Sequence, residues 1–160
     1  MTPLARLLGL LLPACGAIGA QGLPVPPPMD ITQISRPASP NTALAAPAGF
    51  LPAPDIVTPP YHVTSQRLYT AVEAVAAAQP RTFLAAAYPD RLQAHWVVRS
   101  LVFNFPDRVT AQVTAEGPNT ATLLLYSRSV YGYSDLGANR RRVAAWLAAL
   151  DRALNPAKER

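Results

Sequence analysis

The sequence predicts an α+β fold, a two-layer sandwich in which two helices cover one side of a four-stranded antiparallel sheet, in the order α-β-β-β-β-α. Three observations predict it. The 160-residue chain suits a single domain with attachments. Eleven of its 18 prolines fall between Leu23 and Pro60, which sets that stretch apart from the remainder of the chain. After Pro60 the apolar residues recur at helical spacing near each end and at strand spacing between them.

The chain opens on Arg6, an apolar run from Leu7 to Leu12, and then Leu12-Pro13-Ala14-Cys15-Gly16. This is the three-part pattern of a secretory signal, and it is too short to supply the roughly 20 apolar residues of a spanning helix. Leu12 and Ala14 ahead of Cys15 resemble the bacterial lipoprotein signal, in which the cysteine becomes the lipidated first residue; Pro13 departs from the usual residue there. An ordinary signal cleaved near Ala17 or Ala20, with Cys15 discarded, is the other reading. Either way the protein is expected to be exported to the cell envelope. Acyl chains on Cys15, at about 0.8 kcal/mol per buried CH₂, would hold it on the periplasmic side of a membrane; without them it would be free in the periplasm.

The expected organisation is a signal peptide over residues 1–14, or to about 20 if ordinary, and a proline-rich tether or arm over 15–60. The α+β domain then spans 61–155, and 156–160 form a C-terminal tail. In the tether, proline fixes φ, removes an N–H and pushes its predecessor toward extended conformations, so no helix or central strand is expected there. A stiff spacer of ~3 Å per residue is the leading reading. A ligand for a proline-recognising module lacks the usual flanking basic residues. The segment from Arg36 to Thr42 could instead lie along the domain as an ordered arm.

Thr64 or Ser65 caps a helix with the stripe Leu68, Ala71, Val72 and Val75, ended by Pro80. Extended runs come next over Arg81 to Tyr88 and Arg91 to Phe103, on either side of a Pro89-Asp90 turn. Val109 to Ala115 alternates, with Thr110, Gln112 and Thr114 opposite the apolar face. After the turn Glu116-Gly117-Pro118-Asn119, Thr120 to Val130 forms the fourth strand. Val143, Trp146, Leu147, Leu150 and Leu154 give the closing helix one buried face.

One cysteine and two histidines leave no material for a disulfide framework or a histidine-rich metal centre, so no metal and no cofactor is expected. The net charge of +5 favours anionic surfaces mildly, but the basic residues are too scattered for nucleic-acid binding.

The run Tyr126-Ser127-Arg128-Ser129-Val130-Tyr131-Gly132-Tyr133-Ser134-Asp135-Leu136-Gly137-Ala138-Asn139-Arg140-Arg141-Arg142-Val143 is the most specific feature. It resembles the signature of domain-of-unknown-function family 1499, which reads roughly R-S-x-S-R-x-G-Y-S-D-x-G-x-N-R-x-R before a final helix. Arg99-Ser100, Phe103 and Phe105-Pro106-Asp107-Arg108-Val109 are similar to a second stretch of that family, with Arg108 where a second acid is usual. Ser39-Pro40-Asn41 resembles an N-terminal element whose following cysteine and serines are replaced here by Thr42, Ala43 and Leu44. The likeness spans about residues 36–154. It implies an envelope protein of lipoprotein type and no established activity.

Candidate ligand-binding residues are Arg99, Arg128, Ser134, Asp135, Asn139 and Arg140. Ser134 or Asp135 can cap the closing helix, and Gly137 and Asn139 can fix the turn into it. An arginine within an apolar strand must pair with an acid such as Asp107 or Asp135, bind an anion, or reach the surface. Arg140-Arg141-Arg142 opposes the helix dipole; one arginine paired inward, or contact with anionic lipid headgroups, would offset that. For a hydrolase, Ser134 and Asp135 would have to converge with His62 or His95, neither of which lies in a motif. The function expected is therefore binding of a small anionic or lipidic ligand or of an envelope partner, without catalysis. The rivals are an envelope scaffold with no ligand and a hydrolase using the Ser134–Asp135 turn.

Overall fold

The computed structural model describes residues 2–155, so the tail expected over 156–160 lies outside the described residues. Two helices lie in the first residues, α1 (Pro3–Leu11) and the short α2 (Pro13–Gly16), and two longer ones pack on the sheet, α3 (Ser65–Ala78) and α4 (Ala138–Leu154). The strands are β1 (Thr42–Pro47), β2 (Ile56–Thr58), β3 (Thr82–Tyr88), β4 (Gln93–Arg99), β5 (Pro106–Gly117) and β6 (Thr120–Ser129). They form one mixed sheet of six strands in the order β2-β1-β6-β5-β4-β3.

The four-stranded antiparallel sheet expected from the sequence is thereby corrected: β1 and β2 join it from the proline-rich stretch. Residues Thr42 to Ala46 are a proline-free window between Pro40 and Pro47, long enough to make an interior strand. β1 pairs antiparallel with β6, Thr42 facing Arg128, and parallel with β2, Ala45 facing Ile56. Proline density averaged over the whole stretch hides that window. The flanking prolines sit where their missing N–H costs least: Pro47 closes β1, and Pro59-Pro60 come after the edge strand β2. Asp55 fixes the crossover, its carboxylate accepting from the Leu44 N–H at 2.8 Å and pairing with Arg36 at 2.8 Å.

Thr64 caps α3, its hydroxyl accepting from the Arg67 N–H at 3.2 Å. Leu68, Val72 and Val75 of α3 and Val143, Trp146 and Leu150 of α4 press on the same face of the sheet. There Trp146 meets Trp96 edge to face, with ring centroids 5.6 Å apart. The strand expected to run to Phe103 stops at Arg99. Leu101-Val102-Phe103 instead form a turn, closed by Asn104 in the left-handed region at φ 58° and by the Ser100 N–H bonding to the Phe105 carbonyl.

The opposite face of the sheet has its own cover. Leu44, Ala46, Leu124 and Tyr126 pack under Met29, Ile31, Ile34 and Phe50. Toward β3 and β4, residues 14–29 run across the polar side chains of the strands.

Candidate functional site

A proline-rich segment has more acceptors than donors, because each proline offers a carbonyl and no N–H. The sheet supplies the missing donors from side chains. Arg99 donates to the carbonyls of Ala14, Gly19 and Gln21 at 2.6, 2.6 and 2.7 Å. Asn104 donates to Cys15 at 2.6 Å and Ala17 at 3.0 Å. Further along, Arg108 reaches Pro24 at 3.0 Å and the Tyr88 hydroxyl reaches Pro26 at 2.6 Å. The Gln93 side-chain amide pairs with Met29 like a neighbouring strand, accepting from its N–H at 2.7 Å and donating to its carbonyl at 2.9 Å. Arg99 is 3% exposed and has carbonyls, not carboxylates, around it. That is a fourth solution beside the acid, anion or surface foreseen for a strand arginine.

Between these stitches the arm leaves a partly open cavity of about 250 Å³. Leu23, Val25 and the prolines from 24 to 28 roof it, while His95, Val97, Arg108, Thr110 and Arg128 form the floor. The floor results from strand periodicity and register: His95 and Val97 project from the same face of β4 as their partners Thr110 and Arg108 on β5. Arg108 in turn stands directly opposite Arg128 of β6. Among the described residues neither of these guanidiniums has a carboxylate partner. Burial, and then the facing Arg128 charge, lower the pKa of Arg108.

His95 Nδ1 lies 2.8 Å from the Thr110 hydroxyl and Nε2 lies 3.1 Å from the Gln93 side-chain oxygen. Burial, reinforced by the Arg108 charge, lowers its pKa from 6.5 to about 4. The folded protein therefore holds His95 neutral, and unfolding takes up a proton whenever the pH lies between those values. Stability on this account is complete above about pH 6.5 and is lost as the pH falls toward 4, by ~2–3 kcal/mol at 1.36 kcal/mol per unit. Urea unfolding at pH 7 and pH 4.5 checks this: His95→Gln should flatten the pH dependence, whatever it does to stability at pH 7.

The residues singled out around the closing turn form a separate, interior network. Asn139, fully buried, is its hub. Its side-chain oxygen accepts from Ser127 and from Arg142 at 2.6 Å, and its amide nitrogen lies 2.9 Å from the Asn41 carbonyl, 3.0 Å from Ser129 Oγ and 2.7 Å from Asp135 Oδ2. Asp135 caps α4, accepting from the Gly137 and Asn139 N–H groups at 2.9 and 2.7 Å. Gly137 itself has φ 78°, a conformation strained for any side chain. Arg142 completes the network with a 2.7 Å pair to Asp107 on β5.

The acid foreseen for Arg99 or Arg128 is thus taken by Arg142, the arginine of the triplet that turns inward. Arg140 and Arg141 stay exposed, and so does Ser134, whose hydroxyl accepts from the Leu136 N–H at 3.3 Å. Of the six ligand-binding candidates, only Arg128 lines the cavity. Asp135 and Asn139 belong to the helix network, Arg99 holds the arm, and Ser134 and Arg140 are on the surface. Among the described residues neither histidine is seen with Ser134 and Asp135: His95 is engaged with Thr110 and Gln93 on the arm side of the sheet, and His62 lines a depression with Arg67 and Asp151. Among the described residues no group of three or more metal-ligating side chains comes together. Cys15 is fully buried, and burial raises its thiol pKa against the opposing pull of Arg99.

The sequence reading missed Arg108, His95 and Thr110 as members of one site. The available signal was the period-2 recurrence of Gln93 and His95 in one strand and of Arg108, Thr110 and Gln112 in the next, a polar sheet face awaiting a cover rich in carbonyls.

Fold and site together define a mixed α+β protein whose single sheet carries a helical layer on one face and an arm-roofed cavity on the other. The chain belongs to the DUF1499 family of proteins of unknown function, whose model matches residues 33–150. The cavity floor lies inside the matched region and its roof outside it. A protein from Thermobifida fusca, a structural-genomics target solved in solution by NMR, is similar at 10% identity. That likeness covers 72% of this chain and 93% of that one, with a TM-score of 0.47. A crystal structure of a protein from Thermus thermophilus is similar at 10% identity over 72% of this chain and 98% of its own, with a TM-score of 0.40. No curated protein matches this chain.

Proposed function

We propose that this protein is an exported binding protein, held in the cell envelope by a lipid on Cys15, and that its cavity takes a small anion with an apolar body. The observation that carries the ligand class is the facing pair Arg108 and Arg128 on the cavity floor, without a carboxylate between them. Like charges directly opposite across two strands are destabilising, and a bound carboxylate or phosphate would relieve that repulsion. Leu23, Val25 and Val97 offer the apolar body its contact. The Thr110 hydroxyl, held by neutral His95, adds a hydrogen-bonding group without adding charge. Export and anchoring are supported by the leader-like first residues and by the lipoprotein-type Leu12 to Cys15.

Native mass spectrometry of the protein extracted gently from its own membranes, compared with its denatured mass, tests for a resident ligand. Calorimetric titration with octanoate tests the class. Arg128→Gln should weaken octanoate binding by about ten-fold or more, the scale of a charge-assisted hydrogen bond, while moving the melting temperature little because Arg128 is exposed. A chain that carries no ligand and binds no octanoate would leave the scaffold reading in its place.

A further inference from the structure

The strand directions gather one set of loops at a single end of the sheet. β4 ends, β5 begins and β6 ends there, as the pairings of Arg99 with Pro106 and of Asp107 with Ser129 show. The Leu101–Phe103 turn and the loop leading into α4 are therefore neighbours. The Val130 N–H bonds to the Pro106 carbonyl at 3.2 Å between them. This end presents unusual apolar exposure: Leu101 is 76% exposed, Val102 51%, Phe103 42% and Leu136 85%. Arg140 and Arg141 at the start of α4 are exposed as well, with Arg141 against Leu136.

The charge here is one-sided. Asp107 is consumed by Arg142, and Asp135 by the α4 cap and Asn139, so neither is free to neutralise Arg140 or Arg141. Arg141 spends one donor on the Leu136 carbonyl at 2.8 Å, which fixes the apolar Leu136 and a guanidinium side by side. Apolar tips flanked by uncompensated arginines match the two layers of a lipid surface, acyl region and anionic headgroups. Arginine at a helix N-terminus opposes the helix dipole, and an anion there would remove the penalty.

We propose that this end of the molecule docks on an anionic lipid bilayer, inserting Leu101, Val102, Phe103 and Leu136 and setting Arg140 and Arg141 at the headgroups. The contact is separate from the cavity and needs no acyl chain. Asn104, which closes this turn, holds the Cys15 carbonyl at 2.6 Å. A lipid on Cys15 would thus tether the protein beside the surface proposed to touch the membrane.

The test is flotation of the full chain, made by cell-free synthesis and so unacylated, with vesicles of phosphatidylcholine alone or with one-third phosphatidylglycerol. Binding is expected on the anionic vesicles and not on the neutral ones. Arg140→Gln with Arg141→Gln should weaken it about twenty-fold, and Leu101→Ser with Phe103→Ser about ten-fold. Both pairs are exposed, and unchanged melting curves would show that the variants fold. Equal binding to both vesicle types, or variants that bind like the parent, would overturn the proposal. Concentration-dependent dimerisation in sedimentation, abolished by Leu101→Ser with Phe103→Ser and without vesicle binding, would overturn it in favour of a second copy of this chain.

Discussion

Replacing Arg142 with alanine is expected to lower the free energy of unfolding by about 3–5 kcal/mol, because it strands a buried carboxylate. Asp107 is 7% exposed, and Arg142 is its ion-pair partner at 2.7 Å. The same guanidinium donates to Ser127 Oγ at 2.9 Å and to the Asn139 side-chain oxygen at 2.6 Å, so the hub of the network loses a charged donor as well. Arg140→Ala and Arg141→Ala, two and one residues away on the surface, should each stay within about 0.5 kcal/mol of the parent. Urea denaturation of the three variants makes the comparison. Asp107→Asn in the Arg142→Ala background should recover part of the loss, since a neutral amide is cheaper to bury than an unpaired carboxylate. Three similar values would remove the network from its assigned role.

That network explains why the most specific stretch of sequence was legible as a signature and opaque as a site. Ser127, Ser129, Asp135, Gly137, Asn139 and Arg142 join β6 to α4, and through Asn41 and Asp107 they reach β1 and β5. Their requirements are strict because every donor and acceptor is matched in the interior, and strict requirements leave a recognisable pattern whether or not a ligand is involved. The two domain helices were legible because their apolar stripes and caps are local features. β1 was not, since its strand character comes from inserting between β6 and β2, a non-local reward that outweighs the prolines around it. The cavity was hidden for a related reason. Its floor is written in alternating polar residues of β4 and β5, but its roof lies some 70–100 residues earlier, in a stretch whose composition alone suggests a spacer.

Arg99→Leu should free the arm and leave the core standing. The guanidinium makes hydrogen bonds at 2.6–2.7 Å to three carbonyls between Ala14 and Gln21, and hydrogen bonds to a charged group are worth about 1.5–3 kcal/mol each. Losing them lowers the local opening energy of this segment by roughly 3 kcal/mol or more, which corresponds to ~100-fold faster amide exchange at a factor of ten per 1.4 kcal/mol. The effect should cover peptides from residue 14 to about 29, because Arg108, Tyr88 and Gln93 then hold the remainder alone. Peptides from α3 and α4 pack on the other face and should exchange as before. Uniformly faster exchange would instead make Arg99 a support of the sheet itself. The same geometry separates the two readings of the leader. Cleavage before Cys15 removes only the Ala14 carbonyl and keeps Gly19 and Gln21 on Arg99, whereas cleavage after Ala20 leaves Gln21 as the sole arm carbonyl there. A mature chain beginning at Cys15 should therefore keep its cavity roof closed, and one beginning at Gln21 should exchange over the remaining arm much as Arg99→Leu does.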